Sequence, residues 1–142
     1  MPAFQKFNGF VQDLAQKIHN LNADVLKLAL TDVAPVATNT VLANITQITA
    51  ANGYTAGGTT VGTTSATQTN GILSLIGNAV TFTASGGTMA NFRYGVLYNS
   101  TAASGNLIGW WDNSVEVTLL NTQSFKFSFS GTDTGGTILT LF

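Results

Sequence analysis

Two periodicities divide this chain. Over residues 3–21 the apolar positions Phe4, Phe7, Val11, Leu14, Ile18 and Leu21 recur at spacings of 3, 4, 3, 4 and 3. Residues three and four apart share one face of a helix, so the spacing predicts an N-terminal α-helix with a single apolar stripe. Pro2 suits a first helical turn, where its missing N–H is no loss. Asn20 and Asn22 suit the far end. Phe10 falls off the stripe and needs another cover. Gly9 weakens the helix by roughly 0.5–1 kcal/mol. The stripe is read as packing on the chain's own sheet, with Leu14 and Ile18 as core. The other reading is a seam with a partner.

After the helix the period becomes two. Residues 25–31 (VLKLALT) alternate Leu26, Leu28 and Leu30 against Lys27 and Ala29, a half-buried strand. Residues 36–62 predict a short element and then a loop-rich region around 50–65, where Gly53, Gly57, Gly58 and Gly62 cluster. Asn70-Gly71 is a strong two-residue hairpin signal, and Gly77-Asn78 is a weaker one. Strands are expected at 92–98 (FRYGVLY, with Phe92, Tyr94, Val96 and Tyr98 on one face), 107–111, 115–120, 125–129 and 137–142. About eight short strands separated by Asn, Ser, Gly and Asp turns predict a mainly β fold. It is an antiparallel β-sandwich or jelly-roll-like barrel over residues 25–142, forming one domain of 1–142 with the helix 3–21.

Charge changes the picture more than hydropathy does. The 142 residues are 8% charged with a net charge of −1, against about 25% charged in an ordinary soluble domain. From Val33 to Phe92 there is no Lys, Arg, Asp or Glu. A nucleic-acid binder needs a basic patch, and five Lys and Arg spread along the chain do not make one. A neutral Thr/Asn surface suits a protein packed many times into an assembly, because it avoids like-charge repulsion and loses little on desolvation. No leader is visible: residues 1–20 lack an apolar core and carry Asp13. No stretch approaches the ~18 apolar residues of a membrane helix. Synthesis in the cytoplasm without export by a standard signal is the expectation.

The candidate chemistry is thin. There is no Cys, hence no disulfide and no thiolate. His19 is the single histidine, and as a metal ligand or base it lacks a recognised set of partners in Asp13 and Asp24. Asp112 and Glu116, beside Trp110-Trp111, are a carboxylate pair of the kind a glycosidase uses. Asp112-Asn113-Ser114 reads better as an Asx turn and Glu116 as the polar face of VEVTL. The expectation is no enzyme, no cofactor and no metal. Adjacent strand residues face opposite ways, so one Trp is core and the other a candidate interface anchor. Arg93, the only arginine, is a further interface candidate. The sequons at Asn44 and Asn99 are chance matches in a Thr/Asn-rich chain.

The segments KFNGFVQDLAQKIHNL, LKLALTDVAP, NTVLANITQI, NGYTAGG, FRYGVLYN and LIGWWDN together resemble a family of short open reading frames of tailed bacteriophages, found among head-assembly genes. That family is similar to capsid decoration, or cement, proteins: small β-rich proteins on the outside of the shell where major capsid subunits meet. The resemblance spans nearly the whole chain and carries over no functional residue. It implies a virion structural protein at the capsid surface. Its partners would be the major capsid protein and further copies of itself, as a dimer or trimer, with no nucleic acid and no membrane. Phe4 and Phe7 then become candidate subunit or capsid contacts, together with Arg93, Trp110 and Trp111. A phage tail or fibre component, a β-sandwich module contacting a host glycan, is the alternative.

Overall fold

The computed structural model describes residues 3–62, 64–129 and 135–142. They form a mainly β, antiparallel fold with one short helix near the N-terminus. In chain order the elements are β1 (Gln5–Lys6), α1 (Gly9–Ala15), β2 (Leu26–Thr31), a 3-10 turn (Leu42–Asn44), β3 (Thr59–Thr60), β4 (Ser65–Thr69) and β5 (Ile72–Gly77). Then come β6 (Val80–Thr83), β7 (Phe92–Asn99), β8 (Leu107–Val117), β9 (Ser124–Phe127) and β10 (Gly136–Leu141).

One layer is a five-stranded sheet in the order β1-β8-β7-β2-β3. Opposite it lie a three-stranded sheet, β10-β5-β4, and a two-stranded sheet, β6-β9. The main core fills the space between. Leu26, Leu28 and Leu30 of β2, Leu97 of β7 and Ile108 and Trp111 of β8 meet Leu75 of β5, Phe82 of β6, Phe127 of β9 and Leu139 of β10. The five-stranded sheet is buried on its other face too. There Phe7, Ala29, Val96, Leu107 and Trp110 lie under Ala37, Leu42 and Ile45. Burial on both faces corrects the expectation of a half-buried β2: Ala29 packs in this second cluster, and only Lys27 of LKLALT is not buried.

The helix predicted over 3–21 is confined to Gly9–Ala15. Gln5 and Lys6 are extended and pair with Trp110 and Gly109 of β8. In an extended segment a spacing of three reverses the face, so Phe4 and Phe7 part company. Phe4 packs on Trp111 in the main core, with ring centroids 5.2 Å apart. Phe7 packs on Trp110 beyond the sheet, at 4.5 Å. The helix phase also differs from the expected stripe: Phe10 is 0% exposed and Val11 47%. Leu14, four residues on from Phe10, completes the buried face. The helix ends in a Schellman arrangement: Ile18 N–H donates to Asp13 O (2.9 Å) and Lys17 N–H to Leu14 O (3.2 Å), with Lys17 left-handed at φ 64°.

Two strand expectations merge. Residues 107–111 and 115–120 were expected as separate strands around a turn, but β8 runs unbroken from Leu107 to Val117. The Asx turn exists as a bulge inside it: Ser114 N–H donates to Asp112 Oδ1 at 2.7 Å, and Ser114 has φ 67°. Opposite, Phe92 pairs with Val117 and Tyr94 with Asp112, so five steps along β8 answer two on β7. This slip puts Phe92 into the main core, while Tyr94, Val96 and Tyr98 face the second cluster. The expected one-faced row of four is therefore three.

The hairpin at Asn70-Gly71 joins β4 to β5 with φ 52° and 82°, the two positive angles of a type I′ turn. Gly77-Asn78 makes no hairpin, because β6 pairs with β9 instead and the chain changes sheet there. Residues 36–62 hold the 3-10 turn at Leu42–Asn44 and then loop, but the loop ends in an unexpected short strand, β3, paired with β2.

Candidate functional site

Four of the five interface candidates are paired with one another inside the chain: Phe4 with Trp111 and Phe7 with Trp110. Phe7, Trp110 and Trp111 are buried, so both tryptophans are core and neither is an exposed anchor. Trp111 also contacts Phe127 and Phe129 at 5.6 and 5.3 Å. Contacts of this kind add about 0.5–1.5 kcal/mol each beyond area burial. They leave the rings unavailable for stacking on a sugar.

Arg93 belongs to neither ring pair and, like Phe4, is partly exposed. It lies on β7 and forks onto Asp112 of β8, Nε donating to Oδ1 at 2.7 Å and Nη2 to Oδ2 at 2.9 Å. The guanidinium sits 5.3 Å from the Tyr94 ring centroid. This bond holds the Asp112 carboxyl below the usual carboxylate range and raises Arg93. Both side chains are partly exposed, so the pair is screened by water and worth little to stability. Glu116 is held separately, accepting from Asn91 Nδ2 at 2.6 Å. Each carboxylate of the Asp112/Glu116 pair thus has its own donor.

A second cluster braces the loop before β3 against the sheet. Gln47 Oε1 accepts from the Tyr54 hydroxyl (2.7 Å) and Gly57 N–H (2.7 Å). The Tyr98 hydroxyl donates to Gly57 O at 2.7 Å, and Leu30 N–H donates to the Tyr54 oxygen at 3.1 Å. Burial pushes the Tyr54 phenol up to about 12 and raises Tyr98. Both act as neutral struts. Beside them lies an open hollow of about 500 Å³ walled by Leu42, Ile45, Gln47 and Tyr98.

A third cluster surrounds His19. Asp13 of α1, Asp24 before β2, Asn99 at the end of β7 and Asn106 before β8 converge on it. Burial lowers the His19 pKa, and Asp13 and Asp24 oppose that. No group of three or more His, Cys, Asp or Glu that could hold a metal occurs among the described residues. Asn99 is fully buried with its amide engaged, so its sequon lies inside the fold.

The feature that sequence reading missed is where the uncharged run goes. Every residue of β4 (SATQT), β5 (ILSLIG) and β10 (GTILTL) is without an ionisable side chain, and these are the strands of one sheet. Register puts Thr67 and Thr69 of β4, Ile72, Ser74 and Ile76 of β5 and Thr137 of β10 on its outward side. Ile72 and Ile76 are 39% and 40% exposed. The available signal was the uncharged run itself, but strand pairing was needed to show that β10 extends it.

No family model, no curated protein and no solved structure matches this chain. No helix among the described residues is long and apolar enough to cross a membrane.

Proposed function

We propose that this chain is a bacteriophage virion structural protein, a cement protein on the outside of the head. In this reading it binds major capsid subunits and neighbouring copies of itself. The observation that carries the reading is the outward side of β4-β5-β10, a charge-free array of Thr and Ser around Ile72 and Ile76. Covering such a face strips no ion of its water, whereas a buried unpaired charge costs several kcal/mol. The hydroxyls satisfy polar groups of a partner, and the two isoleucines supply apolar contact. Each bound copy favours the assembled shell by mass action, since it binds the lattice and not the free subunit. No catalytic step is involved. The enclosed tryptophans weigh against the alternative of a glycan-reading tail or fibre module.

The test uses shells purified from the parent particle without this protein. Wild-type protein is expected to co-sediment with them at a copy number in the hundreds. Ile76→Lys is expected to bind at least about tenfold more weakly, a charge now being forced into the contact, with an unchanged melting curve. Full-strength binding by Ile76→Lys, or a few copies per particle at the tail, would overturn the proposal.

A further inference from the structure

His19 is buried, and its Nε2 lacks a hydrogen-bond partner within the described residues. Its protonation state can be read from Asn99. The Asn99 Oδ1 accepts the backbone N–H groups of Thr101 (2.9 Å) and Ala102 (3.2 Å). An amide nitrogen cannot accept those bonds, so the orientation of the amide is fixed. Its NH2 group therefore points the other way, at Asp24 Oδ2 (2.6 Å), His19 Nδ1 (3.1 Å) and Ile18 O (3.3 Å). Facing a donor, Nδ1 must accept, and the neutral ring carries its proton on Nε2. That atom lies 3.7 Å from Asp13 Oδ2, which accepts instead from Asn106 Nδ2 at 3.0 Å.

We propose that His19 and Asn99 form an acid-sensitive fastening between segment 8–24 and the β7–β8 turn. A proton taken from solvent onto Nδ1 sets N–H against N–H, and the contact is lost. Flipping the amide is no remedy, because Oδ1 would abandon two backbone donors and the NH2 group would abandon Asp24. Three charged groups face the ring or its opening. Asp13 on α1 and Asp24 before β2 attract the imidazolium. Lys17, which lines the same hollow of about 450 Å³ as His19, carries the opposite sign. From β7 and the start of β8 come only the uncharged Asn99 and Asn106. Burial outweighs the two carboxylates and keeps the folded ring below its ordinary value. The unfolded chain thus binds the proton more readily. The fastening is complete above the ordinary histidine value of about 6.5 and weakens as pH falls below it. What loosens is the end of α1 and the chain leading to Leu21, beside β4.

Two measurements test this on the intact protein. Ring-nitrogen chemical shifts should show the Nε2–H tautomer at neutral pH and a His19 titration midpoint below about 6.5. Amide hydrogen exchange, corrected for intrinsic rates, should show protection in 8–24 falling by about tenfold or more between about pH 7.5 and 5, with the centres of β7 and β8 unchanged. His19→Gln, whose carbonyl can accept from Asn99 and does not titrate, should abolish that difference. If this variant does not fold, the wild-type measurements decide alone. An Nδ1–H tautomer, a midpoint at or above the ordinary value, or equal protection at both pH values overturns the proposal.

Discussion

Single residues in this fold are decided by what lies across the sheet from them. Gly109 of β8 has Phe4 lying where a side chain would be, and Gly95 of β7 leaves room for the Phe127 ring. A Cβ at Gly109 would land in the Phe4 ring and against the Gln5 carbonyl. Gly109→Ala is therefore expected to cost about 1–3 kcal/mol, the usual cost of overpacking, as read from urea denaturation. Tyr54 offers a titration. Its phenol is pushed up to about 12, so the folded state keeps a proton that the unfolded chain loses near 10. Stability from this residue should be complete below pH ~10 and be lost as pH rises toward the folded value. Ultraviolet titration should accordingly find one tyrosine still protonated well above pH ~10, the ordinary value of a free phenol. The parity of Trp110-Trp111 was legible, because adjacent strand residues must diverge. The covering of both rings was not, since Phe4 and Phe7 come from the other end of the chain. Asn99 was illegible for the same reason: its partners Asp24 and His19 lie 75 and 80 positions away.

Elements were legible where the signal is local. Asn70-Gly71 dictates its turn through two positive φ angles, and the period of two in 25–31 gives β2 with Leu26, Leu28 and Leu30 on one face. The N-terminal helix was half legible. A 3-4-3-4-3 pattern counts Phe4 and Phe7 as one stripe, but the open edge of β8 offers hydrogen bonds that make residues 5–6 a strand. The helix after it is then rotated so that Phe10 turns inward. Phe10→Ala should cost about 3–5 kcal/mol and Val11→Ala less than about 0.5 kcal/mol by thermal or chemical unfolding. A larger loss from Val11→Ala than from Phe10→Ala would restore the stripe that the spacing alone predicts. The extension of β8 through Asp112-Asn113-Ser114 was hidden because a bulge and a chain reversal use the same Asx chemistry. Only the register with β7 distinguishes them.

For the whole molecule, the class of fold followed from strand number and spacing, but the division into three sheets did not. That division is set by long-range pairings such as β10 with β5 and β6 with β9. They sort the charge as well. Lys6, Asp13, Lys27, Arg93, Asp112 and Glu116 belong to the five-stranded sheet and its helix, Lys17 and Asp24 to the segment joining α1 to β2, and Lys126 to β9, while the three-stranded sheet has none. Assembly through the uncharged sheet should therefore vary less than about tenfold between low and high salt, since few charges are there to be screened. Shell binding across a salt series checks this, and a change of a hundredfold or more would place the contact on the charged layer instead.

The pairing of β1 with β8 has a consequence for how the protein is made. Gln5 leaves the ribosome before its partner Trp110, which is 105 positions later. At about 5–20 residues per second that is a wait of roughly 5–20 s. Throughout it Phe4 and Phe7 have neither tryptophan to cover them, so the nascent chain trails two bare aromatic rings past every chaperone and every neighbouring polysome. Slowing elongation between residues 8 and 107 should lengthen that window and raise the insoluble fraction, although the finished protein is unchanged.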